Sequence, residues 1–359
     1  MPTGTLDPKT MEAAQAFAFQ VFTDLAAAIS VPHLYMGDRL GLFKLVAAEG
    51  PMTVETLAKK SGLQERYLRE WTGAMAASSV LDYDAKGQTF ALPPAKAAVL
   101  VNEESPFFIQ GFTQMVPDHY AKIPGIMKCM KAGGGVPYSE YGPDTFEGTE
   151  RFFKPGYVNF LVQQWMPATG YDKKLAAGGA KVADVGCGRG VAIVTLAKAF
   201  PKSTFVGFDA YAPSVEAAKA NAAKAGVSGN TKFETRASTD LPATGEFDLI
   251  MNLDSLHDMA DPEGAARSVK KALKPDGAWF VVEPKVSDKL EENLNTIGRA
   301  FYSISMLQCM TVSLAQNGKG YGACMGPGRL AQIVKQAGFT RHDVLPIDNP
   351  FNAMTLSRA

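Results

Sequence analysis

Between residues 181 and 357, short apolar runs alternate with stretches of helical spacing. Val182-Ala183-Asp184-Val185 has the length and β-branching of a buried parallel strand, and residues 191–200 follow with helical periodicity. A strand at 204–208, a helix at 213–226 and strands at 231–236 and 247–253 continue the alternation, then a helix at 261–273 and a strand at 277–283. Residues 289–313 cross back, and a helix at 328–338 precedes two last strands, 342–347 and 351–357. Only Asp348-Asn349-Pro350 joins those two, and so short a link makes them antiparallel. The pattern predicts an α/β fold: a doubly wound, seven-stranded, Rossmann-like sheet with an antiparallel last strand.

The first third of the chain is patterned as helices. Residues 11–29 are rich in Ala and Phe, with Phe17, Val21, Leu25 and Ile29 on one face, and such a helix needs a partner surface. A helix at 40–46 stops at Gly50-Pro51, Thr53 is placed to cap a helix at 53–60, and residues 64–80 form another. Two short strands around Lys86-Gly87 complete a winged helix. The expected domains are a winged-helix dimerisation domain at 1–105, an aromatic-rich, proline-interrupted linker and substrate lid at 106–175, and the sheet domain at 176–359. The first ten residues read as a loose tail. Within the linker, His119-Tyr120 is the aromatic pair with polar tips.

Composition narrows the partners. Lys plus Arg and Asp plus Glu each total 36, so net charge points to neither nucleic acid nor membrane. In the helix that would read DNA, Glu65, Arg66, Arg69 and Glu70 cancel, which favours a dimer platform over a major-groove reader. Cys129, Cys187, Cys309 and Cys324 are scattered, with no C-x-x-C pair, as expected of a reduced cytoplasmic protein with no bound metal. No secretory signal or apolar segment of membrane length is read from the sequence.

The chemistry centres on Asp184-x-Gly186-x-Gly188-x-Gly190. The loop lacks the Gly-Lys-Ser/Thr of a nucleotide-triphosphate loop and the G-x-G-x-x-G spacing of a dinucleotide site. An acid two residues before the first glycine is awkward for a pyrophosphate and suits a ligand carrying an ammonium and a sulfonium. Asp209 ends the second strand, where an acid holds a ribose diol. S-adenosylmethionine fits both, and the loop resembles the first motif of class I methyltransferases; a dehydrogenase-type nucleotide site is the alternative. Ala210, Ser238 and Asp254 complete the expected cofactor contacts.

The fourth strand runs out into Asp254-Ser255-Leu256-His257-Asp258-Met259-Ala260-Asp261, at the ligand-binding edge of such a sheet. A neutral imidazole there is matched to deprotonating a hydroxyl, and the alternative is a histidine that only caps a helix. The segment resembles the His-Asp-Trp-Ser-Asp region of plant and bacterial small-molecule O-methyltransferases. That resemblance implies His257 as general base, Glu283 as the acid orienting it, and dimerisation through the winged helix. A second orienting acid of that family falls near Cys324-Met325, where no carboxylate stands.

Glu65-Arg-Tyr-Leu-Arg-Glu-Trp71, Leu92-Pro-Pro94, Leu256-His-Asp-Met259 and Pro350-Phe-Asn352 together resemble a bacterial winged-helix methyltransferase family typified by a mycobacterial protein. The resemblance implies a homodimer acting on a small-molecule acceptor. Methylation of sulfur or nitrogen without a base, or a methyl-donor-sensing DNA-binding regulator, are the alternatives.

Overall fold

The computed structural model describes residues 6–358; residues 1–5 and 359, including half of the expected tail, lie outside the described residues. The chain divides into two compact units after Pro117. The first opens with α1 (Pro8–Arg39). Asp7 Oδ1 accepts from the amides of Lys9 and Thr10, 3.1 Å each, and Pro8 fills the first helical turn. Residues 8–10 are therefore helix rather than tail.

α1 also corrects the membrane-length expectation. Between Glu12 and Asp38 its only Asp, Glu, Lys or Arg is Asp24. The helix is long and apolar enough to cross a membrane by length and composition. Phe17, Val21, Leu25 and Ile29 are exposed, as are Phe19 (72%) and Phe22 (65%). The other end of α1 is anchored: the Trp71 indole donates to His33 O at 2.9 Å, and a Cβ at Gly37 would stand 2.5 Å from Phe43 and 2.6 Å from Trp71.

α2 (Leu42–Glu49), α3 (Val54–Ser61), α4 (Glu65–Ala77), the antiparallel pair β1 (Asp82–Asp84) and β2 (Thr89–Ala91), and α5 (Pro94–Leu100) make the winged helix. Thr53 Oγ1 caps α3 through the Thr56 amide. Leu42, Phe43, Val46, Leu57, Leu68, Trp71 and Met75 form its core. On α4, Arg66 pairs with Glu70 at 2.5 Å, and Arg69 with Glu65 at 2.6 Å and Glu55 at 3.1 Å.

The unit boundary falls within α6 (Gln110–Ala132). In the second unit, α7 (Pro143–Gly156) continues through a π-helical stretch, Tyr157–Trp165, into α8 (Met166–Thr169) and then α9 (Asp172–Ala177). The sheet follows: β3 (Lys181–Val185), α10 (Val191–Ala199), β4 (Thr204–Asp209), α11 (Ala212–Lys224), β5 (Thr231–Thr235), β6 (Phe247–Leu253), α12 (Pro262–Ala272) and β7 (Leu273–Pro284). α13 (Thr296–Ile304), a π-helical turn Ser305–Cys309, α14 (Met310–Ala315) and α15 (Pro327–Gln336) lead to β8 (Arg341–Val344) and β9 (Asn352–Arg358).

Seven strands lie in the order β5-β4-β3-β6-β7-β9-β8, with β9 antiparallel to both β7 and β8. Successive side chains face opposite ways. Val182, Leu249, Met251, Phe280 and Val282 pack on one face, and Ala183, Val185, Ile250, Trp279 and Val281 on the other. Tyr157, Leu161, Trp165 and Leu175 join the first face, so the π-helical stretch is part of the sheet's core.

Candidate active site

The strand sequence reverses direction between β3 and β6, and the crevice at their carboxyl ends is where ligands bind in open α/β sheets. The glycine loop leaves β3 there. Gly186 N and Cys187 N donate to Phe208 O at 2.8 and 3.0 Å. Gly186 has φ +79°, and a Cβ on it would lie 2.6 Å from Ser255 Cβ, so the loop can press against the exit of β6 only as glycine. Gly188 N donates to Asp209 Oδ2 and Tyr211 N to Asp209 Oδ1, both at 2.8 Å. Arg189 Nε bonds the Glu150 carboxylate, whose other oxygen accepts from Asn221 at 3.0 Å.

Three carboxyls crowd this edge. Asp184 is 2% exposed, its Oδ1 has no hydrogen-bond partner, and burial, with Asp209 adding to it, pushes its pKa up to about 8. Asp209 is also raised by burial, against the pull of its two backbone amides. Asp254 holds the left-handed φ of +51°, accepts from Asn352 Nδ2 at 2.7 Å, and is pushed up to about 8 by burial and then by Glu283. Buried acids held above their ordinary range are stabilised by a ligand that brings positive charge. The orphaned Asp184 oxygen is the atom such a ligand would satisfy. The sulfonium and ammonium of S-adenosylmethionine therefore fit these residues.

The structure brings Asp184, Gly186, Gly188, Gly190, Asp209 and Asp254 to one edge. Ala210 is exposed beside Asp209. Ser238 stands half-buried in the turn beyond β5, one strand removed from the loop.

His257 lies in a 3-10 turn, Leu256–Asp258, and is 4% exposed. Its Nδ1 is 2.6 Å from Glu283 Oε2, and Glu283 Oε1 accepts from Leu256 N at 3.1 Å, so one carboxylate fixes both the ring and its turn. Nε2 lies 3.1 Å from Asp258 Oδ1. Burial alone would depress the imidazole, but the Glu283 and Asp258 carboxylates hold it well above its usual range. The two carboxylates thus favour the charged form of the ring more than a lone histidine would.

The linker aromatics divide. His119 is buried with Nε2 2.7 Å from Gln308 Oε1, while its neighbour Tyr120 is 42% exposed. Tyr141 donates to Leu307 O at 2.5 Å, and its ring meets His119 edge-on at 5.9 Å. Tyr138 packs on Phe146 at 5.0 Å and on Tyr211 at 5.3 Å, with its hydroxyl pKa raised by burial and then by Asp209 and Asp258. Tyr211, Asn352, Asp258 and Cys309 are site neighbours to which the sequence reading assigned no role. Only Asn352 and Asp258 carried a signal, inside the short motifs quoted above.

Residues 177–338 match a family model described as a methyltransferase domain, and residues 26–102 one described as an Rv2258c-like winged HTH domain. A ubiquinone biosynthesis O-methyltransferase of Chelativorans sp. (strain BNC1) is 28% identical over 166 residues, 46% of this chain and 60% of that protein. The chain thus spans less than two thirds of that relative's length. The mitomycin 7-O-methyltransferase MmcR superposes with a TM-score of 0.71 at 19% identity, over 97% of this chain and all of that one. Human N-acetylserotonin methyltransferase, solved with SAM, superposes with a TM-score of 0.66 at 18% identity, over 100% of this chain and 99% of that one. With the glycine loop, its three crowded acids and both matches in hand, residues 177–338 are a methyltransferase domain, preceded along the chain by an Rv2258c-like winged HTH domain at residues 26–102.

Proposed function

We propose that the chain methylates a hydroxyl of a small molecule, with His257 as the base. The observation that carries this reading is the 2.6 Å contact of Glu283 with His257 Nδ1, which turns Nε2 toward Asp258 at the end of the crevice. When bound, S-adenosylmethionine supplies an activated methyl group, so the chain's task is to orient the acceptor and handle its proton. Asp184 and Asp209 would hold the cofactor's cationic and ribose ends.

The upward shift of His257 favours acidic hydroxyls as acceptors. A phenol or enol can reach the site as its anion beside the imidazolium, or pass its proton to the fraction of His257 that is neutral. Glu283 stabilises the charged ring in either case. The same upward shift favours one second reading, transfer to a thioether or neutral amine that needs no base. A screen of phenols, thioethers and amines, read by released S-adenosylhomocysteine, separates the two. Turnover of phenols that collapses in His257→Ala supports the base, and turnover that survives it supports base-free transfer.

A second copy of the chain covering the apolar length of α1 accounts for the exposed Phe17, Phe19 and Phe22. The paired charges on α4 argue against a DNA-reading regulator. Four free cysteines fit a reducing, cytoplasmic setting.

A further inference from the structure

The geometry points to a binding site for one thiophilic divalent cation, of the Zn²⁺ or Co²⁺ kind, formed by His257 Nε2, Asp258 Oδ1 and Cys309 Sγ. One ligand atom from each of these three residues lies within 4.8 Å of the others, although the residues come from the turn after β6 and from the π-helical turn before α14. Ligand legs of about 2.0–2.3 Å in a tetrahedral site set neighbouring donors roughly 3–4 Å apart. The Nε2 to Oδ1 separation of 3.1 Å already meets that spacing.

Asp258 Oδ1 is buried, and its contact with His257 Nε2 at 3.1 Å is an ion pair rather than a hydrogen bond of good geometry. An acceptor so placed, close to Nε2, can share a cation seated between the two. Glu283 completes the arrangement from behind. A metal-ligating histidine characteristically gives its other ring nitrogen to a carboxylate, which fixes the ring and raises its basicity, and Nδ1 is 2.6 Å from Glu283. The π-helical turn brings Cys309 to this point, and such irregular turns recur at functional sites. Nitrogen, oxygen and sulfur from three side chains suit a borderline-soft metal and leave a fourth position open.

A cation here displaces the Nε2 and Cys309 thiol protons to solvent and takes the Nε2 lone pair, so it binds more tightly as pH rises and blocks methyl transfer to a hydroxyl; that last effect, unlike the site, rests on His257 being the base. Co²⁺ titrated into the reduced full-length protein tests the site directly. The expected result is one equivalent bound per chain, with a thiolate-to-cobalt charge-transfer band that Zn²⁺ displaces. Cys309→Ser should remove the band while Cys324→Ser keeps it, and Glu283→Gln should weaken binding by about 10–100-fold. Asp258→Asn supplies an independent ligand variant, and circular dichroism shows that each variant is folded. No thiolate band, or a band unchanged in folded Cys309→Ser, overturns the proposal. A Cys309-dependent band without any loss of phenol methylation upholds the site and counts against His257 as the base.

Discussion

Gly188 donates its amide to Asp209 Oδ2 at 2.8 Å, so the glycine loop and the acid at the end of β4 form one unit. Removing the acid therefore unseats the loop as well as the proposed ribose contact. Asp209→Ala should weaken S-adenosylmethionine and its demethylated product alike, by on the order of 1.5–3 kcal/mol in calorimetry. An unchanged affinity would place the ribose elsewhere.

Asp184 and Asp254 give the protein a pH signature. Each has a pKa of about 8 in the folded chain against an ordinary 3.8. The native state keeps protons that the unfolded chain has already lost, so the ligand-free protein loses stability as pH rises from about 4 to about 8. A cationic ligand lets the acids ionise at lower pH, so binding releases protons and the thermal shift given by S-adenosylmethionine should grow from pH 6 to 8. Differential scanning fluorimetry across that range checks the slope, and a shift that shrinks with pH contradicts it.

Gly186 has no room for a side chain. Alanine there must hold φ +79° with its Cβ 2.6 Å from Ser255. Gly186→Ala should cost about 1–3 kcal/mol of stability and displace the loop from the exit of β6. Urea denaturation measures the loss, and a variant of wild-type stability would mean that β3 and β6 can move apart.

His257→Ala should cut turnover of a hydroxyl acceptor by roughly 10²–10⁴-fold with cofactor affinity nearly unchanged. Glu283→Gln should cost less in turnover, because it orients and stabilises the ring without touching the acceptor. Since Glu283 and Asp258 shift the ring's pKa upward, wild-type turnover should still be rising with pH above neutrality. A rate that falls over that range argues for a different proton acceptor.

The exposed length of α1 predicts self-association. Light scattering of the full chain at micromolar concentration should give a dimer, and deleting residues 8–30 should give a monomer. A monomeric full chain that binds lipid vesicles would assign the helix to a bilayer instead.

The sheet could be read from sequence because strands buried on both faces are short apolar runs, as in Val182 to Val185, and the helices between them are regularly spaced. The start of β7 could not. Lys274-Pro275-Asp276-Gly277 looks like a turn, yet β7 already pairs with β6 at Leu273, across a register shift. The upward shift of His257 was likewise hidden. It depends on Asp258 and Glu283 reaching the ring together, whereas local sequence shows only a histidine on a loop. Cys309 lies 52 positions beyond His257 (309 − 257) and nears it only because α13 and α14 join through a π-helical turn, which leaves no periodic signal.

β9 lies between β7 and β8, and its Asn352 holds Asp254 at the mouth of the crevice. During translation the glycine loop and the histidine turn leave the ribosome long before this strand does. Until it arrives, the hydrogen-bonding edge of β7 is bare and Asp254 lacks its amide partner. The active edge is thus finished by the last strand of the sheet to be made, and chaperone protection of the nascent chain matters most while β7 waits for β9.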